Sequence, residues 1–302
     1  MDYLKTKLDY TPGNSILPEN SFGISPSQLA TFFSSPNQWY REQVLGEKAE
    51  FQGNTSSYLG TLVHFIAEEY TKSGEYDVIE IYKYLYKELC SNKSTVPDFS
   101  DEEETEIFLL ENADKEGIDI RTILGKFRQM GDHIIEYLDR VGIPTHSEDL
   151  ISAEIQEGYY VCGSCDAYNE KTRTITDYKT TSLTSPKDSI PYNYKLQLLC
   201  YAYIYRAMGF PVDKVQIIWI TQPDINRVSE KTGKPLKDYP CQVVPVTYML
   251  QESDWQLIES ILALVAESVK ADKSNPELRH IIWKDYRLKE KPKNLFAGFQ
   301  RA

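Results

Sequence analysis

The strongest constraint on the fold lies in residues 150–180, "LISAEIQEGYYVCGSCDAYNEKTRTITDYKT". Their alternation and their turn residues read as three strands joined by short turns. The pattern then changes. "PYNYKLQLLCYAYIYRAMG" is an amphipathic helix that Gly209 can close as a C-cap. "KVQIIWIT" reads as a buried strand, "CQVVPVTYM" as another, and "SDWQLIESILALVAESVKA" as a helix with Ser253 or Asp254 near its start. Ahead of residue 150 the periodicity is helical. "SPSQLATFFSSPNQWYREQVLG" predicts a helix capped by Ser25, with Pro26 at the first position and Pro36 breaking or restarting it. "TSSYLGTLVHFIAEEYTKSG" places Leu59, Leu62, Val63, Ile66 and Tyr70 at helical spacing. Residues 77–90 predict a third helix, and "IRTILGKFRQMGDHIIEYLDRVG" a longer one. Helices, then three strands, a helix and further strands predict an α/β (α+β mixed) architecture, with a central mixed sheet flanked by helices.

The length of 302 residues suits one large domain, or one with a sizeable insertion. The expected division is a loose leader over 1–21, a single domain over 22–283 with a helical insertion at about 71–147, and a basic tail over 284–302. A net charge of −12 argues against passive nucleic-acid binding, which needs Lys and Arg on phosphates. It does not argue against an enzyme whose bound cation changes the local field. The charge is also uneven: residues 98–116 hold nine acids against one lysine, while the tail is basic. No apolar run approaches the roughly 20 residues needed to span a bilayer, and the first residues lack a signal-peptide pattern. A cytoplasmic protein without membrane attachment is expected. Five cysteines at irregular spacing do not form a disulfide framework. Cys162 and Cys165 make a CxxC with no second pair to complete a zinc site, and alternation puts Cys165 in the core.

The chemistry sits in "GSCDAYNEKTRTITDYKTT", residues 163–181. Residues two apart on a strand share a face, so Asp177 and Lys179 project together while Tyr178 points away. Antiparallel pairing across the turn near "NEKT" brings Asp166 toward Asp177. Two such carboxylates repel, and one would take up a proton unless a cation lies between them. Mg²⁺ is held by one or two carboxylates plus water and phosphate, and a lysine beside it can hold a water or offset charge on phosphate. An ordinary exposed hairpin would also explain a D-x-K run taken alone.

These residues resemble the core motif of the PD-(D/E)XK nuclease superfamily in its RecB-like branch: G-x-x-D at Gly163–Asp166, then I-x-D-Y-K-T at Ile175–Thr180. The branch's Q-x-x-x-Y is matched by Gln197 and Tyr201, its "lGtlvH" helix by "LGTLVH" ending at His64, and its S-x-S-Q-L leader by "SPSQLATFF". The resemblance implies a restriction-endonuclease-like core. It implies that Asp166, Asp177 and His64 hold the metal, that Lys179 is catalytic, and that Gln197 and Tyr201 look over the active site. Glu154, in the strand before the hairpin, is a weaker metal candidate. Imidazole suits transition metals, so Mn²⁺ is expected to serve as well as Mg²⁺. Some RecB-like nucleases, including those of CRISPR adaptation, carry an iron–sulfur cluster. Here Ser35 precedes Pro36 where they place cysteine, and no cysteine follows Cys241, so no cluster is expected.

The function these readings imply is a metal-dependent exonuclease that hydrolyses phosphodiester bonds at DNA ends, in phage or mobile-element recombination or repair. A single-strand annealing protein or a helicase is the expected partner, by analogy alone. The alternatives are a catalytically silent DNA- or protein-binding member of the same fold, or an endonuclease. The insertion reads as an arch or clamp over the site, or simply as solvated helices. Strand-binding candidates are Lys171, Arg173, Lys187, Lys195, Tyr194 and the tail residues Lys289, Lys291 and Lys293, since cations and aromatic rings suit single-stranded ends.

Overall fold

The computed structural model describes residues 17–47, 53–92, 96–186, 188–224, 229 and 231–284. Lys187, Lys289, Lys291 and Lys293, most of the 1–21 leader and all but the first residue of the tail lie outside the described residues. In chain order, β1 (Phe22–Ile24) is followed by α1 (Leu29–Ser34), α2 (Pro36–Trp39) and one π-helical turn over Tyr40–Val44. The helical half is α3 (Thr55–Ser73), α4 (Val78–Leu89), α5 (Glu102–Asn112) and α6 (Ile120–Val141). Then come β2 (His146–Gln156), β3 (Tyr159–Asn169), β4 (Thr174–Thr181), α7 (Tyr192–Ala207), β5 (Lys214–Thr221), β6 (Val243–Met249), α8 (Glu252–Ser274) and the short α9 (Arg279–Ile282).

The strands form one six-stranded mixed sheet in the order β1-β3-β4-β5-β6, with β2 paired to β3. β4 and β5 are parallel, so the chain must cross over the sheet between them, and α7 makes that crossing. Helices cover both faces. Ile175, Val215, Ile217 and Trp219 bury one face against α7, α8 and the N-terminal helices. Tyr178, Ile218 and Ile220 bury the other against α3–α6. The period of two predicted for "KVQIIWIT" thus serves two cores, which is why the run is apolar throughout. Asn54 and Ser57 form a capping box at the start of α3, and Gly74, in the left-handed region at φ +83°, closes it. Among the described residues, no helix is long and apolar enough to cross a membrane.

Several expected boundaries shift. Residues 22–24, for which the sequence predicts no element, form a strand held by parallel pairing of Phe22–Ile24 with Tyr159–Val161. Ser25 makes no side-chain cap, and its hydroxyl meets Ser27 instead. Pro36 restarts the helix because Ser35, at φ −148°, has left helical geometry. β2 begins at His146, earlier than the alternation suggested, and β6 begins only at Val243. Of the two residues expected near the start of α8, Asp254 takes part in its capping box, accepting the Gln251 N–H at 2.9 Å. At the chain's described end Trp283 is buried. It stacks on Trp39 and Tyr40, and its indole N–H donates to Asp272 at 3.1 Å.

Candidate metal and active site

The site is made by a parting of strands. β3 and β4 pair only at Ala167–Thr176, Tyr168–Ile175 and Asn169–Thr174, next to their turn. Beyond Ala167 the two strands diverge, and β1 takes over the edge of β3 at residues 159–161. Residues 162–166 are left without a ladder partner on that side. Asp166 stands at the apex of this fork. Its Oδ2 accepts the Tyr178 backbone N–H at 2.8 Å, so a side chain supplies the hydrogen bond that the next rung would have made. Asp177 faces it from β4, 1% exposed.

Two glycines set how closely helices approach the fork. A Cβ on Gly60 would lie 3.3 Å from the Thr180 hydroxyl, so α3 passes tightly over β4. One turn on, His64 Nε2 lies 2.6 Å from the Tyr178 carbonyl oxygen. Advancing four residues along α3 retreats two along β4, so the helix runs antiparallel to the strand. Across the sheet, a Cβ on Gly163 would meet Pro26 at 3.0 Å and Tyr201 at 3.3 Å, so α7 and the turn after β1 close tightly on β3 there. Helices from opposite faces of the sheet therefore reach one opening.

His64 Nδ1 lies 3.3 Å from Asp166 Oδ2 and 3.7 Å from Glu148 Oε1. A carbonyl oxygen only accepts, so the Nε2 nitrogen carries the ring proton, and in the neutral ring the Nδ1 lone pair faces two carboxylates. These three ligand atoms lie within 4.8 Å of one another and could hold a metal ion, which would offset the repulsion between the two carboxylates. The donor set fits a divalent ion: two hard oxygens and one imidazole suit Mn²⁺ and are compatible with Mg²⁺. Ser164 Oγ donates to Glu148 Oε2 at 2.8 Å and fixes the carboxylate from behind.

Asp177 turns the other way. Lys179 Nζ sits 2.7 Å from Asp177 Oδ2, off the direction of a hydrogen bond, so the contact is an ion pair rather than a directed bond. Gln197 Nε2 donates to Asp177 Oδ1 at 3.3 Å. Burial drives the Asp177 carboxyl pKa up, the Lys179 ammonium pulls it back and the Asp166 charge adds to the rise, leaving it at about 6. Burial disfavours the Lys179 ammonium, but Asp177 and Asp166 more than offset this and its pKa is raised. Lys179 also lies 5.5 Å from the Tyr194 ring centre. Tyr201, one helical turn after Gln197, is buried, and burial pushes its hydroxyl pKa well up while Gln197 opposes. Asp166, Asp177, Lys179, His64, Gln197, Tyr201 and Tyr194 thus all border one opening.

Glu154 does not. It is exposed, and its carboxylate accepts the Gly158 N–H at 3.3 Å in the β2–β3 turn. The residue that reaches the site from β2 is Glu148, six positions earlier and about 20 Å along the strand. Pairing of Ser147 with Ala167 and Asp149 with Cys165 sets Glu148 opposite Asp166. A count back from the turn would have chosen Asp149, because a bulge between Glu154 and Gln156 slips the register by one. Glu148 itself adopts φ +53°. Glu68, one turn beyond His64, was also missed: it is 1% exposed, Lys72 meets Oε1, and Oε2 has no hydrogen-bond partner. Burial pushes its carboxyl up to about 8 against the pull of Lys72, and Glu148 adds to the rise.

The other sequence candidates fall elsewhere. Lys171 and Arg173 cap the closed β3–β4 turn, where Arg173 pairs with Asp213 at 3.5 Å. Lys195 is held by Asp254 at 2.9 Å and lies over the Tyr248 ring. Cys162 and Cys165 are both buried, and three positions apart on a strand they face opposite ways, so they cannot share a metal.

The chain matches the family model of the PD-(D/E)XK nuclease superfamily over residues 23–279 and belongs to that family. No curated protein sequence matches it. Among solved structures it is similar to a protein from Eubacterium rectale assigned as an exonuclease, at 12% identity and a TM-score of 0.49, covering 94% of this chain and 95% of that one. It is also similar to a phage-related exonuclease from Haemophilus somnus 129PT, at 11% identity and a TM-score of 0.36, covering 85% and 97%. A third is the alkaline exonuclease LHK-Exo from Laribacter hongkongensis, at 9% identity and a TM-score of 0.33, covering 75% and 98%.

Proposed function

We propose that the protein is a metal-dependent DNA exonuclease, acting on ends in phage or mobile-element recombination or repair in the cytoplasm of its host. The observation that carries the reading is the His64 Nδ1 lone pair set against Asp166 and Glu148, beside a buried Asp177–Lys179 pair. Within residues 22–283, read as one nuclease domain with an insertion at about 71–147, these groups have complementary roles. His64, Asp166 and Glu148 would hold Mg²⁺ or Mn²⁺, with Asp177, now paired with Lys179, as the further carboxylate that would serve the ion. The bound ion supplies an acidified water and offsets negative charge on the phosphate. Lys179 holds the attacking water or a phosphate oxygen. Gln197, backed by Tyr201, fixes Asp177 and so fixes Lys179. Hydrolysis breaks the bond from phosphorus to the 3′-oxygen and leaves a 5′-phosphate. The preference for ends is carried by the family resemblance. A partner annealing protein or helicase is carried by the family resemblance alone.

The test is a time course on end-labelled linear and closed circular DNA with Mg²⁺, Mn²⁺ or EDTA. Linear DNA should be lost with either metal and spared in EDTA, the circle should persist, and Lys179→Ala should slow the reaction about a thousandfold or more. Cutting of the circle would overturn the exonuclease assignment. Inert protein on both single and double strands would favour the silent member of the fold.

A further inference from the structure

We propose that residues 231–237, between β5 and β6, together with the first turns of α6, form the surface that grips the phosphate backbone of bound nucleic acid. This rests on the nuclease reading and assigns the DNA a place on the molecule. The sheet dictates where the strand can lie. β3 and β4 are zipped at their turn and part toward the C-terminal end of β4. The chain leaves β5 at that same end, two residues past Trp219, the partner of Lys179. The described residues of this projection between β5 and β6 are held by backbone contacts: Asp224 and Tyr239 bridge in antiparallel fashion, with bonds of 2.8 and 2.9 Å, and Ser229 N donates to Lys234 O at 2.8 Å.

The projection's described residues 231–237 carry Lys231, Lys234 and Lys237, all exposed, and no acid. Glu230 precedes the run, so residues 224–238 carry four cations against three acids, still a positive balance in a chain of net charge −12. Asp224 and Asp238 lie at the base, outside that run. Beneath the projection, Arg121 and Lys126 of α6 line a cleft of about 300 Å³ with Pro223 and Asp224. Among the described residues, none of these five cations is held in an ion pair with a side chain, whereas Lys195 and Arg173 are. A further contact fixes the distance. Gln222 Nε2 donates to Ser56 Oγ at 3.2 Å, tying the base of the projection to the start of α3. From Ser56 to His64 is eight helical residues, about 12 Å. That corresponds to three or four base pairs of DNA, so the base of the projection stands several nucleotides from His64, on the side of α3 where the chain leaves β5.

The experiment uses the full chain in EDTA, with a fluorescent 20-base-pair duplex and the matching single strand, measuring Kd by anisotropy across a salt series. Lys231→Gln/Lys234→Gln/Lys237→Gln should weaken binding about tenfold or more on at least one probe. It should also lower the slope of log K against log salt by about 2–3, since each phosphate contact contributes roughly 0.7–0.9. Lys171→Gln/Arg173→Gln, at the closed turn, should stay within about twofold. An unchanged Kd and slope in the triple variant, an equal loss in the closed-turn pair, or no binding by the parent chain would each overturn the proposal. Circular dichroism of each variant separates lost contacts from lost fold. If the parent binds through these lysines yet cuts nothing, the grip stands and the exonuclease reading fails. If it cuts ends while the triple variant binds as the parent does, the reverse holds.

Discussion

His64 and His146 each stand against two carboxylates from the β2–β3 region, but their rings are engaged differently. His146 has a carboxylate on both nitrogens, Asp149 at 2.7 Å and Glu170 at 2.9 Å, and its ring packs among Tyr168, Tyr205 and Phe210. Burial opposes its charge, but the bonds from Glu170 and Asp149 more than compensate, and its pKa is raised. A protonated ring satisfies that arrangement, which then acts as a clasp between the start of β2 and the turn after β3. His64 spends one nitrogen on a backbone carbonyl, so only the other faces its carboxylates, at separations longer than a good hydrogen bond. Similar residues thus make a closed ion pair in one place and an open coordination site in the other. The partner of the second nitrogen decides which.

The comparison breaks first at the chemistry. His64→Ala should lower Mn²⁺ affinity, measured by isothermal titration, and cleavage rate by at least about a hundredfold, while His146→Ala should cut within about threefold of the parent at 25 °C. Equal losses in the two variants would erase the distinction. Next comes the oxygen partner. Glu148→Gln should weaken metal binding about 10- to 100-fold, and Glu154→Gln should leave it unchanged. The reverse ranking would restore Glu154 as the ligand.

The clasp is tested by heat rather than by rate. His146→Ala should cost about 2 kcal/mol, a few degrees in Tm, at pH 6. A group with a raised folded pKa contributes stability below its unfolded pKa and loses it as pH climbs through the folded value. The deficit of the variant should therefore shrink by pH 9, and a deficit that grows with pH would contradict the clasp. The smallest effect concerns Glu68. Its folded pKa of about 8 lies above that of an exposed carboxyl, so the folded state binds the extra proton and stability falls as pH rises from about 4.5 through 8. Glu68→Gln should raise Tm at pH 9 and change it little at pH 5, read by differential scanning calorimetry.

The sequence disclosed the strand–helix order, the shared face of Asp177 and Lys179 and the opposite side taken by Tyr178, because a period of two is local information. The convergence of His64 with Asp166 could be named from the motif but lay beyond any local pattern, since it depends on how closely Gly60 lets α3 pass over Thr180. Glu148 was hidden for a sharper reason: one extra residue in β2 reassigns every cross-strand neighbour beyond it, and a bulge leaves no reliable mark in the residues that form it. β1 was hidden by brevity, as three residues carry too little alternation to stand out from a loop.

The bond between Asp166 and the Tyr178 amide has a practical consequence for anyone wanting an inert trap that still captures DNA. Removing the Asp166 carboxylate strips a backbone group of its acceptor as well as removing a ligand, so Asp166→Ala confounds loss of chemistry with local unzipping. A change to asparagine would keep an acceptor oxygen only if its amide settled the right way round. The Lys179 ammonium pairs with a side chain, Asp177, rather than with the main chain, which makes it the cleaner position at which to disarm the protein before crystallising it with nucleic acid.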